Sequence, residues 1–299
     1  KLVNSLRTRT RLLSLLPPKL RNLIVLAPDA TRAAAAGAVP ERTAAAGTPR
    51  LRAGFITGCV QQVFFSHVNE ATVRVLAAEG CDVVAPRSQG CCGALALHSG
   101  RDGEARTFAR ALIETFEKTD VDVIVINAAG CGSSMKTYGE LFRDDPAWAA
   151  RAQAFAAKVR DVTEVLASLG APRAPRNRLD MRIAYHDACH LAHAQGVRQQ
   201  PRDLLAAIPG VTLVPIAESE ICCGSAGIFN LVQPEMAATL GARKAANIAD
   251  AKPDIVATTN PGCMLQISAS ARAAGVNQPV VHVVEVLDAS IRGHALGQA

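Results

Sequence analysis

Two doubled cysteines followed by glycine, Cys91-Cys92-Gly93 and Cys222-Cys223-Gly224, each stand midway between two single cysteines. In the first half of the 299-residue chain the flanking residues are Cys59 and Cys131; in the second they are Cys189 and Cys263. The spacing C-x31-CC-x38-C recurs as C-x32-CC-x39-C, at offsets of 130 to 132 residues, and takes up eight of the nine cysteines. Self-similarity at a fixed offset marks two copies of one unit. Thiolates are ligands for soft metal centres, and four in each unit suit an iron–sulfur cluster or zinc. Structural zinc commonly uses two close C-x2-4-C pairs. Here each set is drawn from three separate places with two ligands adjacent, so the spacing favours iron–sulfur and leaves zinc open.

The elements that must position these residues are legible as apolar runs. LRAGFITG (51–58), CDVVAP (81–86) and VDVIVIN (121–127) read as strands leading to Cys59, the first doublet and Cys131. RIAYHDAC (182–189), VTLVPIAESEICCG (211–224) and PDIVATTNPGC (253–263) repeat the scheme. A fourth extended piece that turns into a helix, VRDVTEVLAS (159–168), matches VVHVVEVLDAS (280–290). Strands alternating with helical segments imply βαβ units and parallel sheets. The expected class is therefore α/β: two tandem pseudo-equivalent lobes, each a small, mostly parallel sheet flanked by helices, preceded by an N-terminal helical and linker arm. The boundaries read as 1–50 for the basic arm and flexible linker, 51–170 for the first cysteine-rich lobe, 171–181 for a Pro/Arg-rich linker and 182–293 for the second lobe. Parallel strands bring their carboxyl ends to one edge, where ligand sites form, so each lobe should gather its four cysteines there. The repeat offset predicts that the lobes share one fold and pack about a pseudo-twofold axis.

Composition narrows the function classes. Cysteine is too sparse for a secreted disulfide scaffold, and no run of 18 apolar residues marks a membrane span. No secretory signal peptide is visible, and a cytoplasmic protein is expected, with contact to the inner face of the cell membrane as a further expectation. The net charge of +6 belongs to the arm: residues 1–50 hold nine Lys/Arg against two Asp/Glu, leaving 23 against 24 for the remainder. With no basic, aromatic-bearing surface on the folded body, nucleic-acid binding is excluded. Residues 1–26 mix Arg and Leu and read as a helix packed on the same protein, with a partner or anionic membrane surface as the alternative. Residues 27–50, rich in Ala, Pro, Gly and Thr, read as flexible linker. No dinucleotide or Walker fingerprint occurs, so no flavin, nicotinamide or nucleotide site is read in the chain.

Repeat alignment sorts the remaining candidates. Cys81 falls opposite Val211, and a position that accepts valine is a core position. His190 and His193 fall where the first repeat has Val60 and Val63, and His186 precedes Cys189. These three, with His98 near the first doublet, are candidates for hydrogen-bonding the metal-site cysteines; helix packing is the plainer account of them. Arg198 and Arg202 read as a solvated face.

The motifs GCVQ (58–61), CCGALALHSG (91–100), NAAGCG (127–132), YHDACHLAHAQGV (185–197), CCGSAGIFNLVQPEMA (222–237) and NPGC (260–263) resemble the paired cysteine-rich CCG domains of heterodisulfide reductase subunits. More narrowly, they resemble the family of iron–sulfur subunits of bacterial glycolate oxidase (glycolate dehydrogenase), over about residues 1–293. That resemblance implies an electron-transfer subunit that holds [4Fe–4S] clusters, one in at least one lobe, with zinc an alternative in one of them. FAD would reside only in partner subunits that oxidise glycolate, a 2-hydroxy acid, to glyoxylate, and electrons would pass on to a quinone. Members of the broad family carry a fifth cysteine three residues before the last; here those positions are Ala128 and Asn260, which implies four-ligand centres. Full-length members begin with a ferredoxin domain, so the chain reads as the C-terminal part. Two other functions remain open: a heterodisulfide reductase-like thiol/disulfide catalyst, which the missing fifth cysteine disfavours, and a non-redox zinc-binding assembly protein.

Overall fold

The computed structural model describes residues 38–296 and, ahead of them, Pro17, Ile24, Leu26 and Ala27. The expected Arg/Leu helix at 1–26 therefore lies almost wholly outside the described residues. The first lobe runs β1 (Arg42–Thr43), β2 (Leu51–Ile56), α1 (Cys59–Phe64), α2 (Ser66–Ala78), β3 (Cys81–Val84), α3 (Ala94–His98), α4 (Asp102–Glu117), β4 (Val123–Ile126), α5 (Ala129–Lys136), α6 (Tyr138–Leu141), α7 (Ala149–Lys158), β5 (Val159–Asp161) and α8 (Val162–Ser168). The second runs β6 (Met181–Tyr185), α9 (Cys189–Ala192), α10 (Gln200–Ala206), β7 (Val211–Val214), α11 (Phe229–Val232), α12 (Pro234–Ala251), β8 (Ile255–Thr258), α13 (Pro261–Ala273), β9 (Val280–His282) and α14 (Val283–Arg292).

Both sheets follow one plan. The first has the order β1-β3-β2-β4-β5 and the second β7-β6-β8-β9, so in each lobe the first strand lies between the second and third and the fourth sits outside the third. The four shared strands are parallel throughout; only β1 is antiparallel, pairing with β3 through Arg42↔Val84 and Thr43↔Val83. Register repeats as well: Leu51 faces Cys81 as Met181 faces Val211. The structure thus places Cys81 and Val211 at one equivalent position, and Cys81 is fully buried.

Alternation along the strands divides the interior into three cores. Ala53, Phe55 and Val125 from the first sheet join Ile183, Tyr185, Ile255 and Ala257 from the second in a core shared by both lobes. Ile56, Ile124 and Ile126 point the other way, into a core of the first lobe alone, and Ala184 and Val256 into a core of the second that also takes in Ala129 of the first. Helices α2, α8, α10 and α14 fill the space between the sheets, with Val68, Leu76, Leu205 and Val286 buried in the shared core. Contacts across it are reciprocal: α2 of the first lobe packs on α14 of the second, and α10 of the second packs on α8 of the first. Such exchange is what a twofold relation produces. Arg74 on α2 clamps Asp288 on α14, Nη2 to Oδ2 at 2.7 Å.

Both connecting segments are held to the fold by side-chain contacts. The last part of the 27–50 stretch is not free linker: β1 adds to the sheet edge, and the Ala45 N–H donates to the Asp82 carboxylate at 2.9 Å. Likewise the Pro/Arg segment at 171–181 is fastened down. The Arg176 guanidinium meets Glu79 at 2.8 Å, both nearly buried, and the Asn177 amide donates to the Ser290 carbonyl at 2.8 Å. Arginine and asparagine side chains supply here the partners that a loop of low periodicity does not advertise.

Candidate metal centre

The eight cysteines lie where strands give way to helices. Cys59 and Cys189 open α1 and α9, Cys131 and Cys263 sit in the first turns of α5 and α13, and the doublets lie in the turns after β3 and β7. In each doublet the first sulfur accepts from the N–H of the glycine two residues on, Gly93 to Cys91 and Gly224 to Cys222, both at 3.3 Å. These glycines are required. Their φ values are 76° and 96°, and a Cβ would lie 3.0 Å from the Ala105 carbonyl oxygen or 2.5 Å from that of Ala237. Without a side chain the turn can press against the next helix and aim its sulfurs inward.

All nine cysteines are free thiols. In the first lobe the Cys59 and Cys91 sulfurs are 3.6 Å apart. Hydrogen bonding to Cys91, with burial, raises Cys59, and Cys92 is pushed well up by the bond it makes to Cys131 and by burial. The second lobe behaves differently. Cys222 is held far below the usual thiol range by its hydrogen bonding with Cys189 and Cys223, and Cys263 by its hydrogen bonding with Cys223 and by the nearby His186. Cys189 and Cys223, the partners in those bonds, are raised in turn, so the set shares its protons and can present thiolate, the ligand form, at two of its four positions.

The two sets do not occupy separate sites at opposite ends of the molecule. Seven of the eight cysteines line one cavity of about 420 Å³ between the lobes: Cys59, Cys91, Cys92, Cys131, Cys189, Cys223 and Cys263. Cys222 is tied to the set through Cys189 and Cys223. Asn260 joins the halves. Its amide nitrogen donates to the Cys263 sulfur at 3.5 Å, and its carbonyl oxygen accepts from the Gly130 N–H, beside Cys131, at 3.1 Å. Sequence reading marks Asn260 only as a place where a fifth cysteine is missing; the bridge across the lobes is a tertiary fact.

The histidines divide. His186 is buried, neither ring nitrogen has a hydrogen-bond partner, and a ring nitrogen lies within 4.8 Å of the Cys223 and Cys263 sulfurs. His190 lines the cavity, with Nδ1 at 3.4 Å from the Cys189 sulfur, and meets the His98 ring from the first lobe edge-on at 5.2 Å between centroids. His193 points away, toward Glu220 and Arg198 on the surface. Of the two arginines read as a solvated face, Arg198 is exposed and pairs with Glu220, but Arg202 is corrected: it grips the buried Asp187 carboxylate with two bonds and lies over the Tyr185 ring. A buried carboxylate needs such a partner.

The donor set suits a soft, thiolate-ligated centre. Sulfurs converge from three strand ends in each lobe, a buried imbalance of hydrogen bonding sits at His186, and the cavity walls are otherwise mostly apolar, with Val60, Leu95 and Leu231 among them. The profile of the cysteine-rich domain, CCG, matches residues 53–136 and again 183–268. This chain belongs to the CCG cysteine-rich domain family. Each CCG match encloses one set of four cysteines and nearly all of the first three parallel strands of one lobe. Among curated CCG relatives, the "Probable glycolate oxidase iron-sulfur subunit" of Bacillus subtilis is 34% identical over 287 residues, covering 93% of this chain and 64% of the relative. "Lactate utilization protein A" of Exiguobacterium is 32% identical over 238 residues, covering 80% of this chain and 97% of the relative. "Uncharacterized protein YkgE" of Escherichia coli is 32% identical, covering 79% of this chain and 99% of the relative. Against the first of these the chain spans just under two thirds of the length. No described helix is long and apolar enough to cross a membrane.

Proposed function

We propose that this chain is the iron–sulfur electron-transfer part of a complex that oxidises a small 2-hydroxy acid, glycolate or lactate. The observation that carries the reading is the convergence of two four-cysteine sets on one cavity between the lobes. Cys59, Cys91, Cys92 and Cys131 would hold one centre, and Cys189, Cys222, Cys223 and Cys263 the other, with a [4Fe–4S] cluster the expected occupant of at least the second. A bound cluster supplies one-electron redox chemistry that no side chain here offers. The protein's own part is to position and shield it. Gly93 and Gly224 N–H groups and the Asn260 amide hydrogen-bond to the sulfurs, and the apolar walls limit water. The names of the relatives support a hydroxy-acid substrate for the whole complex. Oxidation itself belongs to flavin-bearing partner subunits, and a quinone is the proposed acceptor. Phe64, Leu95 and Leu231, partly exposed around the cavity, offer an apolar rim on which such a partner can sit.

Anaerobic reconstitution with iron and sulfide, followed by metal analysis and visible absorption, tests the reading. About four iron and four sulfide per occupied site are expected. Stoichiometric zinc without sulfide would replace it with the assembly-protein reading.

A further inference from the structure

Beneath their cysteines the two lobes differ in charge at one buried helix position. Helix α4 buries Ala105, Ala109, Leu112, Ile113 and Phe116; helix α12 buries Ala237, Gly241, Lys244, Ala245 and Ile248, at the same spacing. The frames agree independently, since Gly93 packs on Ala105 as Gly224 packs on Ala237. Lys244 therefore stands where the first lobe has Leu112, and both are fully buried. Its Nζ donates to the carbonyls of Glu218 at 2.6 Å and Ser219 at 3.1 Å, in the turn that leads to Cys222. Among the described residues no carboxylate forms an ion pair with it. Burial pulls its ammonium below the ordinary lysine range, while the nearby Cys223 sulfur and the Asp187 and Glu218 carboxylates pull it back up. A second exchange runs the same way: His186, three residues before Cys189, replaces the buried Ile56, three before Cys59.

A buried, unpaired ammonium is costly unless an anion compensates it. Four thiolates around a cluster are such an anion, and the first-lobe set has only the apolar Leu112 at the corresponding place. We propose that Lys244 is a built-in counter-charge that makes the second-lobe centre the more easily reduced of the two. This rests on the iron–sulfur reading above. The reduced centre carries one more negative charge than the oxidised one, so a nearby fixed cation favours the reduced form. One electron then leaves the first-lobe centre, which is oxidised, and enters the second, which is reduced; no bond or proton moves.

The test is a dye-mediated redox titration of the anaerobically reconstituted chain, followed by electron paramagnetic resonance. The signal lost in Cys222→Ser identifies the second-lobe centre. Lys244→Gln keeps a donor for the Glu218 carbonyl without the charge, and should lower the equilibrium constant for reducing that centre at least tenfold, ~59 mV for one electron. Lys244→Met should do the same, giving a second route if either variant folds poorly, and Leu112→Met should move neither centre. Loading of both sites with unchanged potentials in Lys244→Gln would overturn the inference and leave the iron–sulfur reading standing. Wild-type protein that takes up neither iron nor sulfide would overturn both.

Discussion

At the scale of single residues, the nine cysteines separate into eight gathered at the strand ends, seven of them lining one cavity, and one that lies apart. Cys81 is sealed in the shared core, and burial pushes its thiol up to about 11, away from ligand chemistry. Cys81→Val copies Val211 and should cost less than ~1.5 kcal/mol with metal content unchanged. Cys223→Ser keeps the shape but offers a harder oxygen in a buried place, so iron bound by the second lobe should fall by at least about tenfold while the fold survives at a cost of ~1–3 kcal/mol. Iron analysis of the two variants side by side checks the ligand set, and loss of iron in Cys81→Val would refute it. Asn260→Ala removes both the donor to Cys263 and the acceptor for Gly130. It should destabilise by ~1–3 kcal/mol in chemical unfolding, through the unpaired N–H, and an unchanged midpoint would show that the bridge contributes nothing.

At the scale of elements, the fourth strand of each lobe hands over to a helix through a capping box, with Asp161 and Glu164 on α8 and His282 and Glu285 on α14. The caps are equivalent in place and opposite in charge behaviour. Burial raises Asp161 from 3.8 to about 7 and lowers His282 from 6.5 to about 4. Native Asp161 thus keeps a proton that the unfolded chain has lost between about pH 4 and 7, and its contribution to stability is lost as pH rises through that window. Native His282 lacks a proton that the unfolded chain binds between about pH 6.5 and 4, and its contribution is lost as pH falls through it. They amount to roughly 4 and roughly 3 kcal/mol across their windows, with opposite sign. Asp161→Asn, which mimics the neutral acid, should therefore gain stability relative to wild type between pH 5 and pH 8. His282→Asn, which keeps a cap acceptor, should gain relative to wild type between pH 7 and pH 4.5. Denaturation midpoints across pH decide, and parallel curves for variant and wild type would refute the linkage.

At the scale of the molecule, the lobes share their largest core, with Leu76 of the first and Val286 of the second both fully buried in it. Neither lobe can close that face alone, so thermal unfolding should be one cooperative transition. Leu76→Ala should cost ~2–5 kcal/mol and move the whole transition, although the residue belongs to the first lobe only. Calorimetry that resolves two transitions, one unshifted in Leu76→Ala, would show independent lobes. The shared core also explains the single cavity: clamping the sheets together through α2, α8, α10 and α14 brings both sets of strand ends to one seam.

What the residues by themselves determined lies within each lobe. Cysteine spacing, β-branched runs and the match of Cys81 to Val211 are local or repeated signals, and parallel βαβ connections carry strand ends to one edge whatever else the chain does. The four-cysteine sets, the strand positions and the doubled architecture followed from these. The tertiary structure decided how one lobe meets the other. Asn260 bridging to Gly130, His98 meeting His190 and the clasp of Arg202 on Asp187 depend on side chains brought together by packing rather than by spacing. Lys244 is the intermediate case. Its place in a buried stripe is periodic and could be found by aligning the two helices, but the meaning of a charge there comes from the sulfurs nearby. Periodicity reports which face a residue takes, because the backbone repeats; it carries no information on what the opposite surface presents, because that surface comes from a distant part of the chain.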